Sequence, residues 1–182
     1  EQPENIVWKE MRELIDGHYP DRVLLIETNR LPDDVAAYFG DGDGCHMAFN
    51  VSLMPRLLMA LKQEDRKPIV QILRRTQDIP ASCQWALFLR HHDELSLESC
   101  TDSERDEIYE AYASEPQMQF KGGIRRRLAP LFENDRRRVE LAYALMCSLP
   151  GSPVIYYGNE FGMGDNVYLD VCNGLRTPLQ WS

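Results

Sequence analysis

Four ionisable side chains directly follow one apolar stretch of the chain. Residues 85–89, Trp-Ala-Leu-Phe-Leu, have the composition of a strand buried on both faces, and they are followed by Arg90, His91, His92 and Asp93. A buried strand cannot hold such groups, so we expect them where the strand leaves the core. In parallel α/β folds, that end of the sheet is where ligands bind and chemistry occurs.

Two other apolar runs end in an acid in the same way. Residues 23–26 lead into Glu27, and residues 154–157 lead through a Gly-Asn pair into Glu160, while a fourth strand is predicted over 47–53. Helical stretches separate these runs, which predicts βαβ units and a parallel sheet. Because right-handed crossovers put all the carboxyl ends at one edge, we expect the three strand-end acids to face a common cleft.

Two carboxyl groups that face each other across a sugar ring are the minimal apparatus for glycoside hydrolysis, and in retaining enzymes they lie about 5 Å apart. Glu27 follows an apolar run, and a desolvated carboxyl favours the protonated form that a general acid needs. Asp93, beside His92 and near Arg90, is expected to stay ionised. It would orient sugar hydroxyls or stabilise positive charge at the anomeric carbon.

Other interpretations of the same residues stay open at this point. Strand-end acids also serve as helix caps or as ion-pair partners. The aromatic residues Tyr156, Tyr157 and Trp181 could stack on sugars, but the two tyrosines could equally pack in the core.

The residue pattern disfavours a metal site. His91 and His92 are adjacent, and adjacent residues of a strand point to opposite faces, so both cannot easily bind one ion. The turn at 41–44 begins like a calcium loop, but Cys45 stands where the third oxygen ligand belongs and no glutamate follows at the required spacing. We therefore predict no metal in this chain.

Composition limits the class of protein. The 182 residues suit one domain or part of one, and the net charge of −9 disfavours a nucleic-acid partner. No apolar run is long enough to span a bilayer. The arginine runs 125–127 and 136–138 are interpreted as solvated or paired faces, with a docking surface for another segment as the alternative.

The five cysteines are odd in number and scattered, without a CxxC pair. This pattern disfavours a disulfide framework or a zinc site and indicates a reducing compartment, so we expect a cytoplasmic location. No signal peptide opens the chain, and Glu1 is not a natural start, so we expect a trimmed N-terminus.

Helices are predicted between the strands. The first helix is predicted to be capped by Asn5 and ended by Gly17, and a short helix is predicted over 33–38. A further helix begins at Pro55, with a second piece after Pro68. The last two helices are one with a capping box from Thr101 to Glu104 and one capped by Asn134. The long irregular region 94–133 is expected to form a lid or wall of the cleft. Four strands with their helices are either an open α/β sheet or half of an eight-stranded barrel.

At this point the motifs resemble a known family. Residues 88–95 resemble the last conserved region of the α-amylase superfamily of glycoside hydrolases, and residues 24–27 resemble its general-acid strand. Within that superfamily the match is to the trehalose synthase group, which interconverts maltose and trehalose. The matching segments are 27–29, 38–42, 45–49, 53–56, 123–130, 134–138, 156–158, 162–166 and 176–178.

The resemblance implies a fold and a set of roles. It implies a (β/α)8 TIM barrel, of which residues 1–182 would be the C-terminal half, strands five to eight, as a partial catalytic domain. It makes Glu27 the general acid/base and Asp93 the transition-state stabiliser. The substrate contacts that we predict with it are His92, Arg176, Tyr157 and Glu160.

One essential group lies outside this pattern. The superfamily's nucleophile is an Asp on strand four, two residues after an Arg, and no such motif occurs here. That strand, and most of the family's calcium ligands, would lie upstream, so we expect no cofactor in this chain. We expect the chain alone to be inactive, to need the upstream half or self-association, and to act as part of an enzyme on maltose, trehalose or other α-glucosides.

Three positions depart from the resemblance. His91 stands in place of the usual Asn, Asn159 in place of Asp, and Val171-Cys172 in place of an Asp-Arg pair. The last two changes remove charge near the rim and bear on substrate specificity more than on the fold. A hydrolytic α-glucosidase or α-amylase and a non-catalytic half-barrel module remain alternative functions.

Overall fold

The computed structural model describes residues 3–76 and 78–181. In chain order the helices and strands are α1 Pro3–His18, β1 Leu25–Ile26, α2 Pro32–Val35, β2 Met47–Phe49, α3 Leu53–Gln63, α4 Lys67–Arg75, β3 Gln84–Phe88, β4 Leu95–Ser96, α5 Asp102–Tyr112, β5 Gln119–Phe120, β6 Gly123–Ile124, α6 Leu128–Leu131, α7 Arg136–Ser148 and β7 Ser152–Val154. Short 3-10 turns cover Ala36–Phe39, Pro116–Met118, Asn159–Phe161 and Asn173–Leu175.

The main sheet has four strands in the order β1-β2-β3-β7, and each strand is parallel to its neighbours. Ile26 is in register with Ala48, and Ala48 with Trp85. Strands adjacent in space are thus consecutive in this sheet, and helices lie between them in the chain. The predicted parallel α/β arrangement is confirmed.

Residues of β3 alternate between two apolar clusters, as expected of a strand covered on both faces. Trp85 and Leu87 belong to the large core between the sheet and the helices. Ala86 and Phe88 belong to a smaller cluster on the opposite face, where the Phe88 ring meets that of Phe49 edge to face at 5.3 Å. This second face of the sheet carries fewer buried apolar residues than the first.

Three strand predictions were longer than the strands observed. The strand predicted over 154–157 is Ser152–Val154, that over 23–26 is Leu25–Ile26, and that over 47–53 ends at Phe49. The last strand was misplaced because Tyr156 and Tyr157 lie beyond the sheet, where their hydroxyls donate to loop carbonyls. An apolar run does not distinguish a strand from the apolar loop that follows it.

The predicted helix caps were confirmed only in part. The capping box at Thr101 is confirmed, because its hydroxyl accepts from the Glu104 amide and the Glu104 carboxylate accepts from the Thr101 amide. Two predicted caps were wrong. The first helix begins at Pro3, before Asn5, and α7 is capped by Asp135, because Asn134 has a left-handed φ of 61°.

Region 94–133 has more regular structure than predicted. It contains α5 and a small antiparallel sheet in the order β4-β6-β5, in which Leu95 and Gln119 flank Ile124. Tyr112 of α5 donates its hydroxyl to the Leu58 carbonyl in α3. The region therefore packs on the core beside the end of β3.

Several apolar side chains of the first helix face outward. Val7 is 52% exposed and Leu14 54% exposed, although Trp8 on the other side of α1 packs against the core. Throughout the parts of the chain that the structure describes, no helix has the length and apolarity to cross a membrane.

Candidate active site

The side chains of Glu27, His92 and Asp93 come together where the first and third strands of the sheet end. Glu27 follows β1 and the other two follow β3. The ligating atoms of these three side chains, two carboxylate oxygens and an imidazole nitrogen, all lie within 4.8 Å of one another. Glu27 and Asp93 line one hollow of about 230 Å³. The structure therefore brings together the two acids that the sequence singled out.

Asp93 is held between two basic side chains. Its Oδ1 is contacted by the Arg176 guanidinium, and its Oδ2 lies 3.2 Å from His92 Nε2. Arg176 also donates from Nε to the His92 carbonyl at 3.0 Å. These contacts fix the orientation of the Asp93 carboxylate, as the stabilisation of positive charge requires.

Glu27 is exposed, in contrast to the desolvated setting that the sequence predicted. The strand before it is only two residues long, so the carboxylate extends past the sheet into the hollow. Among the described residues, the Glu27 carboxylate is therefore open to solvent on the side of the hollow.

His91 is a buried side chain that holds the backbone of Asp93. It is 8% exposed, and its ring stacks on Phe88 at 4.6 Å. Its Nδ1 accepts a hydrogen bond from the Asp93 amide at 3.1 Å. Burial, together with the charge of Arg90, lowers the pKa of His91 to about 4. His91 is therefore a neutral acceptor that fixes the turn carrying Asp93.

Two groups have the spacing of metal ligands, namely Glu27 with His92 and Asp93, and Asp93 with Glu94 and Cys172. His91 belongs to neither group, and its ring centroid lies 5.5 Å from that of His92. Exposed acidic groups commonly have such spacing without an ion.

Arg127 is a site-supporting residue that the sequence analysis did not identify. It is fully buried, and its guanidinium lies 4.8 Å from the Tyr156 ring centroid and 4.7 Å from that of Tyr157. Arg125 donates to the carbonyls of loop 167–171. The run 125–127 thus docks another segment, which was the alternative interpretation, whereas Arg136 pairs with Glu140 on the exposed face of α7.

Glu160 and Asn159 lie away from this hollow. Glu160 is exposed and lines a separate cavity of about 520 Å³ together with Tyr143 and Phe161. Asn159 is 4% exposed and accepts a long hydrogen bond of 3.5 Å from Arg127. The common cleft predicted for all three strand-end acids was wrong for Glu160, because a 3-10 turn at Asn159–Phe161 follows β7.

The remaining predicted positions divide between core and surface. Tyr157 donates its hydroxyl to the Thr177 carbonyl at 2.7 Å, and Trp181 is 89% exposed. Cys172 is buried, with its sulfur 3.8 Å from a Glu94 carboxylate oxygen. Burial and the neighbouring Glu94 raise the pKa of the Cys172 thiol.

A parallel α/β sheet with paired acids at its carboxyl ends is the arrangement of many sugar-acting enzymes. The family model described as "Alpha amylase, catalytic domain" matches residues 1–181. The chain therefore belongs to the α-amylase family and has that family's α/β fold with a parallel sheet.

Similar proteins have related descriptions. The trehalose synthase/amylase of Mycolicibacterium smegmatis is 57% identical over 178 residues, which cover 96% of this chain and 30% of the relative. The trehalose synthase of Thermus thermophilus is 54% identical over 175 residues, which cover 96% of this chain and 18% of the relative. The chain thus spans about a third of the length of such relatives, or less.

Among solved structures, the α-amylase of H. orenii has a TM-score of 0.64 at 22% identity. The match covers 98% of this chain and 30% of the α-amylase chain. The sucrose 6F-phosphate phosphorylase of Thermoanaerobacter thermosaccharolyticum has a TM-score of 0.69 at 14% identity. The match covers 91% of this chain and 36% of the phosphorylase chain. These likenesses show the fold.

Proposed function

We propose that this chain is part of a retaining enzyme that transfers α-glucosyl groups, and that the complete protein is a trehalose synthase interconverting maltose and trehalose. The observation that carries the proposal is the approach of the Glu27 and Asp93 side chains to within 4.8 Å at the strand ends. Relatives named trehalose synthase, 51–57% identical over nearly the whole chain, support the choice of reaction.

Residues 1–182 are proposed to form the C-terminal half of a (β/α)8 barrel, strands five to eight. The strands pair in chain order, as in a barrel, whereas a doubly wound sheet reverses its order at a switch point. Within the described ranges, β1 and β7 each have one neighbouring strand. Upstream strands of the longer protein would pair with these two edges and complete the ring.

The proposed reaction divides the chemistry between the two halves. An upstream Asp attacks the anomeric carbon of the bound glucosyl unit while Glu27 gives its proton to the leaving oxygen. Asp93, oriented by Arg176, stabilises the positive charge that develops at the anomeric carbon. Glu27 then takes the proton from another hydroxyl of the retained glucose, which attacks the intermediate and regenerates the free Asp.

The other predicted substrate contacts differ in their support. His92 and Arg176 lie beside Asp93 and can reach sugar hydroxyls in the hollow. Tyr157 has its hydroxyl on the Thr177 carbonyl, so its ring is the part available to a sugar. The substrate contact predicted for Glu160 stays a prediction without support from its position. All five cysteines are free, which fits a cytoplasmic location.

The assay is turnover of maltose by the complete protein and by the isolated chain, with the products separated. Trehalose from the complete protein supports the proposal, and glucose alone indicates the hydrolytic alternative. A closed cleft in the complete protein favours transfer to the retained glucose, because such a cleft excludes water. No turnover by either protein indicates a non-catalytic module. Turnover by the isolated chain would contradict the assignment of the nucleophile to the upstream half.

A further inference from the structure

Arg127 and Tyr157 hold the two residues that flank Arg176. Its Nη2 donates to the Leu175 carbonyl at 2.7 Å, and its Nη1 donates to the Tyr157 carbonyl at 2.6 Å. The Tyr157 hydroxyl in turn donates to the Thr177 carbonyl at 2.7 Å. The carbonyls of Leu175 and Thr177, the neighbours of Arg176 in the chain, are therefore fixed by the linked side chains of Arg127 and Tyr157.

The cluster is rigid because its members are locked by further contacts. The Arg127 guanidinium lies against the rings of Tyr156 and Tyr157, and the Tyr156 hydroxyl donates to the same Leu175 carbonyl. Gly158 is required here, because its φ is 81° and a Cβ would come within 2.5 Å of Met163 Sδ and within 3.1 Å of Arg127 Nη1. A buried arginine with several charge-assisted bonds positions the backbone it touches.

The Arg127 backbone is anchored independently. Its amide donates to Asp165 at 2.6 Å, and Arg126 pairs with the same carboxylate at 3.2 Å. The Arg126 carbonyl accepts from Arg90, the first residue of the segment that leads to Asp93. The support of Arg176 and the segment bearing Asp93 thus share one framework.

We propose that Arg127 is a positioning residue for the glucosyl transfer, acting through Leu175 and Thr177 to direct Arg176 onto Asp93. The inference rests on the proposed function, since Asp93 matters to the reaction only in the complete enzyme. Arg127 itself touches neither substrate nor reacting atoms. A lysine at this position keeps the charge but cannot hold two carbonyls with a planar fork.

The kinetic test is a double-mutant cycle in the complete protein with Arg127→Lys, Arg176→Ala and both changes together. We expect Arg127→Lys to lower kcat on maltose by roughly 10- to 100-fold, as small misplacements do. In the Arg176→Ala background it should have no further effect, because the group it directs is gone. A merely structural role gives additive losses. Arg137→Lys, on the exposed face of α7, is the control.

A second measurement does not depend on activity. Brief tryptic digestion of the complete protein is followed by mass spectrometry of cleavage after Arg176. Loss of the charge-assisted bond to the Leu175 carbonyl should speed this cleavage by about ten-fold or more in Arg127→Lys. If that variant does not fold, Tyr157→Phe, which removes only the bond to Thr177, should show a smaller increase.

Additive kinetics, or unchanged cleavage after Arg176, overturns the proposal. A wild-type protein without glucosyl transfer overturns the proposed function instead. In that case the digestion alone decides whether Arg127 directs Arg176, so that the two failures are distinguishable.

Discussion

The Arg176 guanidinium contacts the Asp93 carboxylate, although 83 positions separate the two residues in the chain. The same arginine binds the His92 carbonyl, so it holds both the side chain and the backbone of the strand-end segment. A cation fixed on one oxygen limits the rotation of the carboxylate. This relationship connects the last loop of the chain to the proposed chemistry.

Replacing Arg176 with Ala should separate activity from stability. In the complete protein we expect kcat on maltose to fall by about 10²-fold, because Asp93 loses its orienting partner. The free energy of unfolding should change by less than about 1 kcal/mol, because both side chains of the pair are more than 40% exposed. Steady-state kinetics and urea titration measure the two quantities. A wild-type kcat, with Arg137→Ala as control, would contradict the role.

Glu27→Gln tests the general acid. The amide keeps the shape but cannot give or take the proton, so kcat on maltose should fall by about 10²- to 10⁴-fold in the complete protein. An aryl α-glucoside with a good leaving group needs no proton for the first step, and its glucosylation rate should fall much less. Burst kinetics on both substrates measure this difference. Equal losses on the two substrates would exclude Glu27 as the acid.

The parallel sheet and the hollow of Glu27 and Asp93 could be predicted because each depends on a local signal. Four apolar runs separated by helical patterns define the sheet, and an acid that closely follows such a run lies near the edge where the strands end. For these two acids the rule holds, since each follows its strand without a long intervening turn. The short-range capping signal at Thr101 was reliable for the same reason.

The features that were missed depend on contacts between distant residues. The burial of Arg127 depends on Tyr156, Tyr157 and the loop at Leu175, and nothing in the run of three arginines distinguishes it from its solvated counterpart at 136–138. Glu160 was misplaced because the chain turns after β7. The setting of Glu27 depends on what covers the hollow, which no local pattern reports.

Thr101→Ala should destabilise the chain through α5. The change removes the hydroxyl that accepts from the Glu104 amide, and loss of such a cap costs about 1 kcal/mol. Urea unfolding measures the change, and Thr101→Ser, which keeps the hydroxyl, is the matched control. A Thr101→Ala variant as stable as Thr101→Ser would show that α5 is held by its packing alone.

His91 should make the stability of the fold depend on pH. Its pKa is lowered from the ordinary 6.5 to about 4 by burial and by Arg90. Between these two values the unfolded state binds more protons than the folded state, so stability is complete above about pH 6.5 and falls as the pH falls toward 4. A shift of this size corresponds to about 3 kcal/mol.

His91→Asn isolates this contribution. The amide oxygen of Asn can still accept from the Asp93 amide, but the side chain does not titrate. We therefore expect the loss of unfolding free energy between pH 7 and pH 4.5 to be smaller in His91→Asn than in the wild type, by an amount approaching about 3 kcal/mol. Urea titrations at several pH values measure the difference.

His18→Asn, at an exposed position on α1, is the control. Parallel pH profiles for the His91→Asn variant and the wild type would mean that the folded chain accepts a proton on His91 without cost, and therefore that the contact with Asp93 does not need a neutral ring.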